Sequence, residues 1–295
     1  MAEPLFRRLA LIGIGLIGSS VARIARERGD IAAEVVANAR TGATLDRVVE
    51  LGIADRVELD PTRAAAGADC VMLCSPVGTF APLTEAIAPH LRPGAIVTDV
   101  GSTKQSVIRD IRPRLPDGVH FVPAHPLAGT EFSGPEAGFT TLFEGRWTIL
   151  TPLADTDRNA VERVAELWRR CGSMVREMEP GHHDRVLAIV SHLPHLIAFT
   201  ICGTADDLAD ESREEVLQFA ASGFRDFTRI AASNPEMWRD IFLNNREALL
   251  EMLARFMEDA QAMARAVRWG DAGYIEDKVQ RGRKIRRSLI DLKQA

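Results

Sequence analysis

The sequence predicts an α/β fold, with a doubly wound parallel sheet in the N-terminal part and an all-α domain after it. Two observations indicate this fold. Short β-rich runs alternate with stretches of helical spacing as far as about Glu179, and from Pro180 onwards only helical patterns remain. We therefore divide the chain into one domain at residues 1–179 and a second at residues 180–295.

The predicted strands of the first domain follow one another at short intervals. They are the runs LALIGI (9–14), VVANA (35–39), CVMLCSP (70–76), AIVTDV (95–100), HFVPAH (120–125) and WTILTP (147–152). Helical stretches lie between them, for example SSVARIARERG (19–29) and TFAPLTEAIAPHL (79–91). Such alternation is typical of a parallel sheet covered by helices on both faces, and right-handed crossovers make that sheet doubly wound.

Helix start signals mark the second domain. Pro180 and Gly181 punctuate its beginning, and Asn234-Pro235 joins a capping residue to proline at the first helical position. Over residues 246–267 an apolar stripe recurs every three or four positions; its members are Leu249, Leu253, Phe256, Ala260, Met263 and Val267. The stripe predicts a packed helix, and it leaves open whether that face meets the core of one chain or a second copy.

Composition limits the class of protein. The 295 residues are 46% hydrophobic and 26% charged, and the formal net charge of −5 argues against a nucleic-acid partner. We expect no leader peptide and no membrane partner, because no apolar run approaches the ~20 residues that span a bilayer. The four cysteines form no CxxC pair and are interpreted as small buried residues. A soluble, cytoplasmic protein is the expectation.

A glycine motif predicts a dinucleotide site of the Rossmann type. Gly13, Gly15 and Gly18 stand in a G-x-G-x-x-G pattern between the first strand and the first helix. There the first glycine permits a tight turn, the second lets the backbone approach a pyrophosphate, and the third allows close packing of helix on strand. Leu16 and Ile17 open the helix, whose free N–H groups face the phosphates. Ser75 and Pro76, at the end of a neighbouring strand, are assigned to the same site.

The residues after the second strand favour acceptance of NADP, although NAD remains open. An NAD site usually has an acidic residue about 20 positions after the last glycine, where it binds the ribose 2′-hydroxyl. Here Ala39 stands at that position, and Arg40 and Thr41 follow it. A cation and a hydroxyl are groups that hold a 2′-phosphate. The alternative is an Arg40 that stacks on adenine or faces water.

Four further segments carry polar side chains suited to catalysis. They are DVGSTK (99–104), HPLAGTE (125–131), SHLPH (191–195) and GFRDFTRI (223–230), the last followed by MW at 237–238. Ser102 and His125 both come just after predicted strands. Because ligands of a doubly wound sheet bind beyond the carboxyl ends of its strands, both side chains are expected to face the nicotinamide.

With these motifs in this order, the sequence resembles the prephenate/arogenate (cyclohexadienyl) dehydrogenases over nearly its whole length. The resemblance implies a Rossmann-type domain plus a helical domain that intertwines in a homodimer. It also implies oxidative decarboxylation of prephenate or arogenate, with hydride transfer to NAD or NADP, in tyrosine biosynthesis. The choice between the two substrates stays open; Arg225 and the histidines weakly favour the more anionic prephenate.

The resemblance also assigns roles to single residues. His125 is the implied catalytic base for the ring C4 hydroxyl, and Ser102 is the serine that contacts the same hydroxyl and orients the imidazole. Arg229 is implied to bind the ring carboxylate. The other implied substrate or pocket residues are His192, His195, Arg225, Trp238, Thr130 and Glu131, with Asp184 in an ionic network.

These residues also have other interpretations. His125 could be a turn residue, and Ser102 a helix cap, which is compatible with contacting substrate. His192 and His195 have metal-ligand spacing and lie near His182 and His183, but no cysteine or carboxylate set completes a site, so no metal is expected.

Two other classes of protein fit the sequence less well. A β-hydroxyacid dehydrogenase needs a catalytic lysine in the helical domain, and no lysine occurs between Lys104 and Lys278. A nucleotide-sensing module would not need the complete set of base, serine and arginine. We expect no separate regulatory domain after the helical part, and feedback inhibition by tyrosine stays open.

Overall fold

The computed structural model describes residues 3–207 and 218–291. The chain divides into two compact units, one that ends at Arg246 and one that begins at Glu247. The first unit contains every strand among the described residues together with the first helices of the predicted second domain. The predicted domain boundary between residues 179 and 180 marks the change from strands to helices. It lies inside the first unit and stays a prediction.

The main sheet confirms the predicted fold class. Its strands are β1 (Phe6–Ile12), β2 (Ala32–Asn38), β3 (Arg56–Glu58), β4 (Cys70–Leu73), β5 (Ile96–Asp99) and β6 (His120–Val122). They are all parallel, in the order β3-β2-β1-β4-β5-β6, which is the doubly wound order of dinucleotide-binding folds. The connecting helices are α1 (Leu16–Arg28), α2 (Gly42–Glu50), α3 (Pro61–Ala65), α4 (Phe80–Ile87) and α5 (Gln105–Ile111).

Strand β1 shows why the sheet is buried on both faces. Leu9 and Leu11 belong to one hydrophobic cluster, and Ala10 and Ile12 belong to another. Successive side chains of a strand point to opposite faces, so the two clusters are the cores above and below the sheet. This explains why the strand is a continuous apolar run rather than an alternating one.

A second, three-stranded sheet was not predicted. It contains β7 (Ala124–Pro126), β8 (Trp147–Leu150) and β9 (Met174–Glu177), with β7 antiparallel to β8 and β9 parallel to it. The helix α6 (Arg158–Arg170) lies between β8 and β9 in the chain. The run HFVPAH, predicted as one strand, is two strands that divide at Pro123, a residue with no N–H for a ladder. His125 therefore stands in the second sheet, opposite Ile149.

The described residues from 180 onwards are helical, as predicted. The helix α7 (Pro180–Leu187) continues through a π-helical turn (Ala188–His192) into α8 (Leu193–Asp206). The following helices are α9 (Ser222–Thr228), α10 (Pro235–Asn244), α11 (Arg246–Trp269) and α12 (Ala272–Asp291). Asn234 caps α10 as predicted, since its Oδ1 accepts from the Met237 N–H at 3.0 Å.

The apolar stripe predicted over 246–267 lies on α11, but one chain does not bury it. Leu249 is buried, whereas Phe256 is 40% and Val267 is 64% exposed. The stripe therefore does not form a continuous core face within a single chain, which is one of the two alternatives that the sequence left open.

The continuous helix Pro180–Asp206 meets the length and hydropathy of a membrane span. The expectation that no apolar run approaches this length is wrong for this helix, because few of its residues are charged. Length and composition are weak support for a span, since core helices of other proteins meet the same criteria. Its buried polar residues include His183, Asp184 and His192, which take part in the site described next.

Candidate active site

The glycine turn after β1 is shaped for a dinucleotide. Gly13 has a φ of +99°, and a Cβ there would lie 2.7 Å from the Ser75 backbone nitrogen. A Cβ on Gly18 would lie 2.5 Å from the Gly13 carbonyl oxygen, so this position also requires glycine. At Gly15 a Cβ would meet no atom within 4 Å, which leaves the backbone open to a ligand at the N-terminus of α1. These residues fit a bound pyrophosphate.

The other predicted dinucleotide residues lie at the same edge of the sheet. Leu16 and Ile17 begin α1, and no side chain caps that helix. Ser75 and Pro76 follow β4, and the Ser75 hydroxyl lies 2.8 Å from the Thr79 hydroxyl. Their positions after the carboxyl ends of β1 and β4 are where this fold binds its ligand.

Arg40 and Thr41 are exposed between β2 and α2. The Thr41 hydroxyl accepts a hydrogen bond from the Thr44 N–H at 3.3 Å and thereby caps α2. The segment thus presents a guanidinium and a hydroxyl beside a helix N-terminus.

A chain of hydrogen bonds orients His125. Its Nδ1 lies 2.9 Å from Nε2 of His183, and Nδ1 of His183 lies 2.9 Å from Oδ1 of Asp184. A carboxylate only accepts, so His183 carries its proton on Nδ1 and accepts with Nε2. His125 then donates from its own Nδ1, which leaves its Nε2 unprotonated. That nitrogen has no hydrogen-bond partner among the described residues, and it is the atom available as a base.

The N-terminus of α5 holds Asp184. Its Oδ1 accepts from the Lys104 N–H at 2.7 Å, and its Oδ2 accepts from the Gln105 N–H at 2.9 Å. Burial tends to raise the pKa of Asp184, but the hydrogen bonds from His183 and from these backbone groups outweigh it and lower the pKa. The carboxylate is therefore ionised near neutral pH, as the chain of donors requires.

A buried ion pair fixes the backbone next to His125. Lys104 and Asp99, both without exposed surface, are paired through Nζ and Oδ2. The same Nζ donates to the Ala124 carbonyl at 2.6 Å, and Asp99 Oδ1 accepts from the Ala124 N–H at 3.2 Å. Burial raises the pKa of Asp99 and lowers that of Lys104, while their mutual attraction opposes both shifts. The pair thus binds both the N–H and the carbonyl of Ala124, the residue before His125.

The histidines of this cluster are neutral. Burial, followed by electrostatic interactions with His183, Lys104 and His192 that oppose a positive charge on the ring, places the pKa of His125 well below 6.5. Burial also lowers the pKa of His183, against its hydrogen bond to Asp184. A histidine with a depressed pKa is unprotonated at pH 7, so His125 is in the form that can take a proton.

Ser102 lies close to this cluster in sequence, between Asp99 and Lys104, and is half-buried. Its hydroxyl has no hydrogen-bond partner among the described residues. Here the imidazole of His125 is oriented by His183, and the implied role of Ser102 in orienting it stays a prediction.

Several of the implied substrate residues do lie together. His195 stacks on Trp238 with ring centroids 3.7 Å apart, and His192 meets the same indole edge-to-face at 6.1 Å. Arg229 lies 3.7 Å from Glu131, and its charge contributes to a lowered pKa of His195, after burial.

Two implied substrate residues are outside this cluster. Arg225 is exposed on α9, and Thr130 is exposed on the loop after β7, where its hydroxyl accepts from the Phe132 N–H at 3.3 Å. No described contact brings either side chain to the histidines.

The sequence analysis missed the residues that support His125. The sequence suggests only a metal-ligand role for His183, and it suggests no role for Asp99, Lys104 and Asn245. Within residues 3–207 and 218–291, no group of three or more His, Cys, Asp and Glu side chains could hold a metal ion. The adjacent pair His183-Asp184 at the start of α7 was the signal that could have indicated a base-orienting chain.

Fold and site together define a dinucleotide-dependent oxidoreductase. Residues 21–177 match the family model described as the prephenate dehydrogenase nucleotide-binding domain, and residues 179–280 match its dimerization domain. The chain belongs to the prephenate dehydrogenase family.

Individual relatives agree over nearly the whole chain. The cyclohexadienyl dehydrogenase of Zymomonas mobilis is 39% identical and is matched over 96% of each chain. The crystal structure of prephenate dehydrogenase from A. aeolicus, in complex with hydroxyphenyl propionate and NAD+, has a TM-score of 0.87 at 34% identity. That comparison covers 96% of this chain and 98% of the other. The Synechocystis arogenate dehydrogenase structure has a TM-score of 0.76 at 26% identity and covers 95% and 99%.

Proposed function

We propose that this chain catalyses the oxidative decarboxylation of prephenate, arogenate or both, with hydride transfer to NAD(P), in tyrosine biosynthesis. One observation carries the proposal: the Asp184–His183–His125 chain leaves an unprotonated imidazole nitrogen on β7, just after β6 of the dinucleotide-binding sheet ends. The relatives named above act on these cyclohexadienyl compounds.

His125 supplies the base. Its Nε2 takes the proton of the ring C4 hydroxyl, so that the forming carbonyl pushes hydride away from C4. The dinucleotide, when bound, accepts that hydride. His183 and Asp184 keep the imidazole in the tautomer with its lone pair on Nε2, and the Asp99–Lys104 pair keeps its backbone in place. Loss of CO2 from the ring then completes an aromatic product.

Arg229 is the proposed contact for the ring carboxylate. A planar guanidinium matches a carboxylate with two parallel hydrogen bonds. Its 3.7 Å ion pair with Glu131 competes with that contact and keeps binding moderate. Moderate binding suits a carboxylate that must leave as CO2, since only interactions stronger in the transition state speed the reaction.

For the cofactor, the finer proposal is acceptance of NADP through Arg40 and Thr41. Support comes from the exposed guanidinium and hydroxyl beside the N-terminus of α2, and from Ala39 in place of an acidic residue. Arg40→Ala should weaken NADP binding about 10-fold or more, in line with a lost charged hydrogen bond, and leave NAD binding nearly unchanged. Strong preference of the wild type for NAD would contradict the proposal.

The proposed assembly is a homodimer formed through the helical half. Its support is the matched dimerization domain and the uncovered apolar stripe on α11.

The reaction is tested by crossing prephenate and arogenate with NAD and NADP and following the absorbance of the reduced nicotinamide. Reduction in any of the four mixtures is the expected result. No reduction in all four, by folded protein that binds dinucleotide, would overturn the proposed activity and leave the fold assignment intact.

His125→Asn tests the base. Turnover should fall by roughly 10²- to 10⁴-fold, the usual contribution of a general base, while dinucleotide binding is kept. Turnover like that of the wild type would remove His125 from this role.

A further inference from the structure

Asn245 is a buried residue at the end of α10 whose amide bridges two elements of the site. Its Nδ2 donates to the Asp184 backbone carbonyl at 2.9 Å and lies 3.0 Å from Nδ1 of His192. A backbone carbonyl can only accept, so this contact fixes the amide with its nitrogen toward both partners.

The amide also determines the tautomer of His192. The Asn245 nitrogen is only a donor, so Nδ1 of His192 must offer a lone pair to it. Burial lowers the pKa of His192 to about 4, against the charge of Asp184, so the ring is neutral at pH 7. A neutral imidazole with a lone pair on Nδ1 carries its proton on Nε2.

Two buried N–H donors consequently lack acceptors. Nε2 of His192 and Nε1 of Trp238 are both buried and have no hydrogen-bond partner among the described residues. The two rings meet edge-to-face with centroids 6.1 Å apart. A buried donor without an acceptor is unfavourable, so two such donors on rings in contact indicate a place where a ligand supplies acceptor oxygens.

This donor pair belongs to the catalytic cluster. Hydrogen bonds connect the two imidazoles, because the Asn245 amide that holds His192 lies next to the Asp184–His183–His125 chain. Asn245 also binds Asp184, the residue that orients the base through His183. Trp238 in turn stacks on His195.

We infer that Asn245 is a specificity-determining residue, because it holds His192 as an N–H donor and so selects a keto-acid side chain over an amino-acid side chain. The inference rests on the proposed function. The side chain of prephenate offers a keto oxygen and a carboxylate, which only accept hydrogen bonds. The side chain of arogenate has an ammonium in place of the keto group, and an ammonium facing an N–H donor is repelled and left unpaired.

The carboxylate of Asp184, which acts electrostatically on His192, does not offset this repulsion. Both oxygens of Asp184 are already engaged, by His183 and by the N–H groups of Lys104 and Gln105. The Asp184 carboxylate therefore has no free oxygen to pair with an ammonium at the donor pair. The wild type should prefer prephenate.

Asn245→Asp tests the inference, because a carboxylate would accept from Nδ1–H of His192 and turn Nε2 into an acceptor. The ratio of kcat/KM for arogenate to that for prephenate should rise at least about 10-fold, the size of one charged hydrogen bond. An unchanged ratio in an active, folded variant would overturn the inference. If neither prephenate nor arogenate allows the wild type to reduce the cofactor, the proposed function itself is overturned.

Asn245→Asp loses the bond to the Asp184 carbonyl, so a second pair of variants tests the donor role in case that variant does not fold. His192→Gln keeps an N–H donor near the position of Nε2, and His192→Leu removes it. KM for prephenate should rise about 10- to 100-fold in His192→Leu and less in His192→Gln. Equal KM values in these two variants would contradict a donor role.

The tautomer itself can be read without substrate. Nitrogen NMR of ¹⁵N-histidine-labelled wild type, with the His192 signals assigned from their absence in His192→Gln, should show Nδ1 unprotonated and Nε2 protonated. The opposite tautomer, or a doubly protonated ring at pH 7, would overturn the inference whatever the activity shows.

Discussion

At the scale of single residues, the chemistry depends on a histidine that stays uncharged. Burial and three neighbouring groups lower the pKa of His125 well below 6.5, and the base works only unprotonated. As the pH falls, protonation begins only near the lowered pKa, so kcat/KM should stay level from neutral pH down past 6.5 and decline well below it. Dinucleotide binding over the same range separates this decline from acid unfolding. A decline centred at or above pH 6.5 would show that the site does not depress the pKa.

His183 acts through His125, and its removal should be visible in kcat. His183→Leu leaves Nδ1 of His125 without its acceptor, so the ring can turn or take the other tautomer. We expect kcat to fall by up to about 10⁴-fold, the full contribution of a general base, with dinucleotide affinity kept. His183→Gln retains an acceptor oxygen and should lose less. The adjacent His182, whose side chain is exposed, gives the matched control His182→Leu, and equal losses at 182 and 183 would contradict the relay.

At the scale of elements, the glycines in the turn from β1 into α1 have different roles. Gly13 and Gly18 are needed for folding, and Gly15 is needed for dinucleotide binding. Gly15→Ala adds a methyl group where no protein atom lies within 4 Å, at a φ of −76° that alanine adopts freely. Stability should be unchanged while dinucleotide affinity falls about 10-fold or more, since the pyrophosphate must approach this backbone. Gly18→Ala should instead destabilise the fold by about 1–3 kcal/mol through overpacking.

Calorimetry and dinucleotide titration check these two glycine variants. Gly42→Ala, another open position without positive φ, is the control for stability, which it should leave unchanged. If Gly15→Ala binds dinucleotide like the wild type, the open face of this turn is not where the ligand lies.

Elements also show what the sequence could and could not predict. Apolar runs and the glycine motif predicted β1, β2, β4 and β5, because a buried parallel strand has its own local pattern. The strands β3 (RVE) and β9 (MVRE) carry charged and partly exposed residues, so neither forms an apolar run, and Pro123 divides a run that looks continuous. The support of the base depends on contacts such as that between Lys104 and Asp184, 80 positions apart, which no local spacing encodes. The sequence motifs indicate the role of His125, whereas the role of His183 follows only from its contacts in the folded chain.

At the scale of the whole molecule, apolar exposure is concentrated in the helical half. Among the described residues, 5 exposed large hydrophobic side chains precede position 180 and 16 follow it. Leu250, Met257 and Val267 on α11 are each more than half exposed. Exposed apolar patches of this kind mark interaction surfaces, and a symmetric dimer places the same patch on both partners.

The last prediction follows from this surface: the protein is a dimer whose mass in solution is twice the 32.4 kDa of one chain. Multi-angle light scattering gives that mass directly. The double variant Leu250→Glu/Met257→Glu puts two charges on the exposed side of α11, and burying them in an interface would be costly, so it should shift the protein toward monomer. Glu258→Gln, a polar change on the same helix, should leave the dimer intact. A wild type that runs as a monomer at micromolar concentration would contradict the assembly, and the exposed side chains of α11 would then need another partner.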